Sequence, residues 1–374
     1  MDLELSDEQT WLTESVESML ARDWVAPGEA ASAGEADRRR LWQSLVSFGA
    51  LAVGRDDGLE TVDVCLIARA LGAHLASVPY LGSAAVRLAV EPLAAELPAG
   101  FARLWETDDA VSVALLEPGR GWAPAAVQTA LEPGTDGDVL RGRKLAVEHA
   151  ATVDRLAVVA SADGEPALAL LPAGAPGVEL AVQPPLDATV PTHAVDLAGV
   201  RAARGVVADG EAGRRLVERL VTISALLAAA EAVGAAGRLL DDACRYAGER
   251  RQFGRTIGSF QALRHLLADM YVRQASSWSS VLYAAAALDE DAGDAARTAA
   301  IAKAYVARAA RDVAHGAIQV FGGIALTAEH PAHRFLRRVI VREQQFGDAA
   351  HHERELGREL GRALAAARTP ERVG

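Results

Sequence analysis

"YAGERRQFGRTIGSFQALRHLLADM" (Tyr246–Met270) carries, in fixed order, a Tyr, an Arg, Gln-Phe-Gly, Ile-Gly, Phe-Gln and Ala-Asp-Met. It interrupts a helical region. Upstream, Leu216, Leu220, Ile223 and Leu227 make a 3–4 stripe on a helix that continues through Tyr246. Downstream, long helices are predicted over Gln261–Leu288 and Ala295–Val320, with little glycine or proline inside them. Long helices joined by short loops predict a bundle of about four. A second ordered stretch, "AIQVFGGIALTAEHPAHRFLR" (Ala317–Arg337), follows. Taken singly, Arg250 reads as a helix-surface charge and Phe253 as core.

The rest of the chain has two other textures. Residues 1 to about 108 read as helical. Leu5, Trp11, Leu12, Val16, Met19 and Leu20 fall at helical spacing behind Ser6, a plausible N-cap with Glu8 and Gln9 close behind it. "RRRLWQSLVSFGALAVG" (38–54) repeats the pattern and ends at glycine. Residues 60–97 hold two more helices, broken around Pro79. From Val111 to Val206, prolines and glycines separate short runs: "VSVALL", "DVLRGRKLAV", "DRLAVVAS", "PALALLPA", "GVELAV" and "THAVDLAGVRA". That spacing predicts an antiparallel barrel or sandwich. The expected organisation is therefore an N-terminal helical domain (1–108), a middle β-domain (109–208) and a C-terminal helical bundle (209–374). Such a length suits two or three structural units.

Composition narrows the function classes. Hydrophobic residues are 51% and charged residues 24% of 374, and net charge is −12. An acidic surface argues against nucleic acid or anionic membrane as main partner. Cys65 and Cys244 are far apart, so neither a disulfide framework nor a zinc site is suggested. Neither a leader nor an 18-residue apolar span without charge is evident, and the cytoplasm is the default expectation. Lys144 and Lys303 are the only lysines.

The two ordered stretches resemble the paired signatures of the acyl-CoA dehydrogenase family, and the helix–β–helix plan is similar to that family's fold along nearly the whole chain. The resemblance implies α,β-dehydrogenation of an acyl-CoA thioester. A carboxylate of raised pKa takes the Cα proton while hydride passes from Cβ to flavin N5. Hydrogen bonds hold the enolate, and FAD lies against the substrate. It also implies an FAD shared between subunits. By motif position Arg250, Phe253, Gln319, Gly322 and Gly323 line the pyrophosphate and adenine of a neighbour's FAD. A guanidinium suits pyrophosphate, an aromatic edge suits adenine, and glycines allow close backbone approach.

The isoalloxazine half departs from the family pattern. Thr-Glu-Pro followed by Ser-Asp is matched by "LEPGRGWAPA" (Leu116–Ala125), which keeps Glu117, Pro118 and Gly119 but has Trp122 and Ala123 for Ser-Asp. "GRKLAVEHA" (Gly142–Ala150) keeps Gly142 and Lys144 but has Ala146 for the Trp and Glu148 for the Thr. The two usual base positions fall on Phe346, in "VREQQFGDAAHHERE" (Val341–Glu355), and on Ser224; Gly347 keeps the turn. Asp348 and Glu231 are the alternative bases. Asp348 otherwise reads as an N-cap or surface carboxylate, and Glu231, a lone acid in an apolar helix run, otherwise pairs with an arginine of a neighbouring helix. His330, His333, His351 and His352 read as a solvated helix face rather than a metal site.

This pattern resembles the short, base-lacking subunits of heteromeric α2β2 acyl-CoA dehydrogenases, which act on bulky thioesters including steroid side chains. The expected partners are a second acyl-CoA dehydrogenase subunit, an acyl-CoA and an electron-transfer acceptor. Two alternatives stay open: a self-sufficient homo-oligomer with Asp348 or Glu231 as base, and a redox-inactive acyl-CoA-binding scaffold.

Overall fold

A computed structural model describes residues 4–24, 34–54, 58–135 and 137–368. The first region holds α1 (Asp7–Asp23), α2 (Glu35–Phe48), α3 (Thr61–Ala73) and α4 (Tyr80–Val90). Ser6 caps α1 as its position predicts. Its Oγ accepts from Gln9 N at 3.1 Å, and Gln9 Oε1 accepts from Ser6 N at 3.2 Å. α2 stops at Gly49, five residues before the glycine that closes its sequence pattern.

The middle region is β1 (Val111–Ala114), β2 (Ala130–Glu132), β3 (Asp138–Glu148), β4 (Arg155–Ala162), β5 (Glu165–Pro172), β6 (Val178–Gln183), β7 (Thr192–Ala202) and β8 (Val207–Ala208). They form one sheet in the order β6-β7-β3-β2-β4-β5-β8, with β1 beside β4. The sheet is mixed rather than wholly antiparallel, because β1 and β4 run parallel. Parallel neighbours need a long crossover, and here it is the chain through β2 and β3. Central strands β4 and β5 are buried on both faces. Ala157, Val159, Leu168 and Leu170 join the helical core, while Leu156, Val158, Ala169 and Leu171 build a second core within the sheet.

The last region opens with α5 (Gly210–Glu249) and a small hairpin of β9 (Arg251–Gln252) and β10 (Arg255–Thr256). It continues through α6 (Gln261–Asp289), α7 (Ala295–Phe321), α8 (Ala332–Gln344) and α9 (Ala349–Arg368). α5 is long and apolar enough to cross a membrane, yet 83% of its apolar window is buried inside the protein. It is the central helix. α3 crosses it so closely that a Cβ at Gly234 would lie 1.9 Å from Arg69 O, and one at Gly72 would lie 2.0 Å from Glu231 O. Only glycine admits that approach. The crossing puts Glu231 on α5 where the N-terminal helices, the sheet and α8 converge.

Candidate functional site

Glu231 is not a lone acid. α8 presents Arg338 and Arg342, one turn apart and on one face. Arg338 Nη1 donates to Glu231 Oε1, and Arg342 Nε donates to Glu231 Oε2 at 2.5 Å. Arg338 also pairs through Nε with Asp187, donates from Nη2 to Thr189 Oγ1 at 2.6 Å, and from Nη1 to Ala76 O at 3.2 Å. Arg342 Nη1 reaches Glu148 Oε1 at 2.5 Å and Gln345 Oε1. Gln345 Nε2 donates to Glu148 Oε1 at 2.7 Å. Arg338 is fully buried and Glu231 is 1% exposed. Three carboxylates thus share two guanidiniums in the interior. Burial pushes the Glu148 carboxyl up, but Arg342 and Gln345 outweigh it and hold it below the ordinary carboxylate range. Asp187 is depressed in the same way, burial being outweighed by Arg338 and Thr189. The network agrees with the arginine-paired reading of Glu231. Both oxygens of Glu231 are thus already engaged by guanidiniums, and neither is left free to face the cavity.

A cavity of about 50 Å³ lies over this network. Ser224, Phe346, Trp122, Ala146, Glu148 and Glu231 all line it. The two usual base positions and the flavin-ring positions therefore converge in space, although they come from α5, the α8–α9 turn, β3 and the β1–β2 connection. The Trp122 and Phe346 rings touch, with centroids 5.1 Å apart and planes tilted by 48°. Ser224 Oγ and Ser77 Oγ, both buried on the cavity wall, have no hydrogen-bond partner. Ordered water satisfies such hydroxyls, and about 10–15 Å³ holds one water. Ligand pockets start at about 300 Å³. The interior residues therefore do not fit an isoalloxazine ring.

The turn between α8 and α9 is built tightly. Phe346 has φ 56°, and Gly347 has φ 105°. A Cβ on Gly347 would sit 2.5 Å from His351 Cδ2. Asp348 does not line the cavity: its Oδ1 accepts from His351 N at 2.7 Å and caps α9. His352 corrects the solvated-face expectation. It is buried, with Nε2 3.1 Å from Phe346 O, and burial together with nearby Lys303 pushes its pKa down to about 4. Lys303, also buried, donates from Nζ to Arg342 O and to Glu343 O at 3.3 Å. His330 packs on Phe321 at 4.6 Å. Among the described residues, no cluster of three or more His, Cys, Asp or Glu is placed to hold a metal.

The other end of the bundle is open. Arg250 caps α5, its N–H donating to Tyr246 O at 2.8 Å. Phe253, at the tip of the β9–β10 hairpin, has φ 50° and is 91% exposed, which excludes the core reading. Its ring meets Phe260 edge-on at 6.2 Å, and the Arg255 guanidinium lies 4.0 Å over Phe260. Tyr246 packs edge-on against Phe321 at 5.5 Å, so the ends of α5 and α7 sit together. Gln319, Gly322 and Gly323 are exposed at that end of α7. Exposed guanidiniums, an aromatic face and bare backbone suit a diphosphate and a purine.

Sequence reasoning missed Arg338, Arg342, Asp187, Thr189 and Gln345. The available signal was an i,i+4 arginine pair interleaved with Phe335 and Val339 on one helix.

Comparison with known proteins agrees with the fold and with the two ordered stretches. Residues 211–361 match the family model of the acyl-CoA dehydrogenase C-terminal domain. The chain is 31% identical over 344 residues to acyl-CoA dehydrogenase FadE27 of Mycobacterium tuberculosis, covering 87% of this chain and 89% of that one. Among solved structures it is similar to the ChsE4-ChsE5 complex from Mycobacterium tuberculosis, with a TM-score of 0.83 and 26% identity over 99% of this chain and 100% of that chain. It is also similar to the Tcur3481-Tcur3483 steroid ACAD (G363A variant), with a TM-score of 0.84 and 25% identity over 96% and 99% of the two chains. With a relative 31% identical over nearly the full length of both chains, this chain belongs to the acyl-CoA dehydrogenase family of FAD-dependent oxidoreductases.

Proposed function

We propose that the chain is the half-site subunit of a heteromeric acyl-CoA dehydrogenase. In this reading it supplies Arg250, Phe253, Gln319, Gly322 and Gly323 to the far end of an FAD whose ring lies in a partner subunit. That partner carries the base. One observation carries the reading: the five motif residues are exposed at one end of the bundle while the chain's own ring-and-base cavity is closed to about 50 Å³. Neither Phe346 nor Ser224 offers a carboxylate, Glu231 is held by two guanidiniums, and Asp348 caps a helix. The substrate class is an acyl-CoA thioester. A bulky acyl group of the steroid side-chain kind is supported by the similarity to a steroid enzyme. Reduced flavin would pass its electrons to an external acceptor.

The test is co-purification with a second acyl-CoA dehydrogenase chain. The chain alone is expected to be colourless and the complex to hold one FAD for each pair of chains. Arg250→Ala should weaken FAD retention by the complex roughly ten- to a hundredfold, a charge-assisted contact being worth about 1.5–3 kcal/mol. Stoichiometric FAD and turnover from this chain alone would overturn the reading.

A further inference from the structure

The segment carrying Trp122 is pinned at its base. Glu117, buried, accepts from Gln128 N at 2.7 Å, from Thr129 N at 2.8 Å, from Thr129 Oγ1 at 2.6 Å and from Lys144 Nζ at 2.7 Å. One carboxylate thereby ties together both ends of the loop 118–127. Between them Pro118–Gly121 are exposed, and Trp122 turns inward onto Phe346. Phe346 is aimed with equal care. A bulky residue at φ 56° is strained, and such strain persists only where the surroundings impose it. Here they do: Gln345 is tied to Glu148, and the Phe346 carbonyl accepts from the buried His352 ring. Two half-buried aromatic rings from separate regions, each fixed from behind, thus meet over a cavity whose buried Ser77 and Ser224 hydroxyls lack protein partners. Both rings line that cavity, so a small side chain at either position would enlarge it.

We propose that Trp122 and Phe346 are an aromatic plug that excludes an isoalloxazine ring from this chain, so that an assembly forms one flavin-ring site for each pair of chains. The plug is what the interior has in place of a ring site; its purpose rests on the half-site reading, but its geometry does not. Exclusion of the ring is then a steric property of two side chains, not of the whole fold.

Riboflavin tests this, because it carries the ring without the diphosphate and adenine that the exposed hairpin would bind. Riboflavin fluorescence is titrated with the isolated full-length chain, W122A/F346A, W122S and W122F, and folding is checked by circular dichroism. The wild type and W122F should give no saturable quenching. W122A/F346A should bind one riboflavin at least tenfold more tightly than wild type, with W122S between them. Binding by the wild type as tight as by the double variant overturns the plug, as does a folded double variant that gains nothing. A W122S chain that cannot fold also overturns it, since Trp122 would then be a core residue and not a stopper at its mouth. The outcomes separate from those of the parent reading. FAD content of the complex that ignores Arg250→Ala sinks the half-site while leaving the plug, and an open cavity in the isolated chain does the reverse.

Discussion

Arg338 touches all three regions of the chain: Ala76 O before α4, Asp187 and Thr189 between β6 and β7, and Glu231 on α5. Removing one member of a buried ion network leaves its partners charged and unpaired, which costs about 3–5 kcal/mol. Arg338→Met should therefore lower unfolding stability by about that amount, read as a lower urea midpoint with the slope unchanged. A loss under about 1 kcal/mol would show that water or a shifted Arg342 replaces it. Glu231 was visible in the sequence as an acid out of place in an apolar run, with arginine pairing as one of its readings. Its partners were not visible, because they lie 107 and 111 positions away and no local pattern points across that distance.

At the level of elements, the α3–α5 crossing depends on two glycines. Gly234→Ala would put a methyl carbon 1.9 Å from a backbone oxygen, with no flexible side chain to yield. Overpacking of this kind costs about 1–3 kcal/mol, so a melting temperature lower by several degrees is expected. A melt within a degree of wild type would mean that the helices separate freely. The helices were legible because their apolar spacing is long and regular: Gln261–Leu288 was predicted and α6 is Gln261–Asp289. Six strand runs were legible for the same reason. β2 and β8 escaped notice because three and two residues carry no readable alternation. The β1–β4 parallel pairing also escaped, since register between strands whose paired residues lie 44 positions apart is set by the core and not by either strand. The candidate site divides likewise. Its exposed half lies within two ordered stretches of sequence, whereas its closed half depends on a contact between Trp122 and Phe346, more than two hundred residues apart.

Across the whole molecule, pH dependence of stability follows from the buried bases. Burial first, then Arg342, lowers the Lys303 pKa from 10.5 to about 7. Between pH 7 and 10.5 the unfolded chain binds the proton that the folded chain releases, so this group makes stability rise with pH in that window. Lys144, lowered to about 8 by burial despite Glu117, adds to the rise above pH 8. Lys303→Met should flatten the rise between pH 7 and 8 and leave that due to Lys144. Urea unfolding at pH 7, 8 and 9 measures it, and an unchanged slope between pH 7 and 8 would show that Lys303 stays protonated in the fold. Glu148 and Asp187 act at the acid end: their depressed values give stability that is present above about pH 4 and lost as pH falls through the folded pKa values.

The interior placement of both lysines decides how the folded chain meets amine chemistry. Lys144 and Lys303 are 0% and 1% exposed, and they are the only two lysines in the chain. The folded surface therefore offers no lysine amine, and its long cationic side chains are arginines. If the proposed heteromer forms, amine-directed labels and cross-linkers applied to it would mark lysines of the second subunit and none of this chain's, any free amino terminus apart. In that heteromer the pattern would trace the junction without any tag; in the chain by itself, the first modification of Lys303 would report the moment the fold opens.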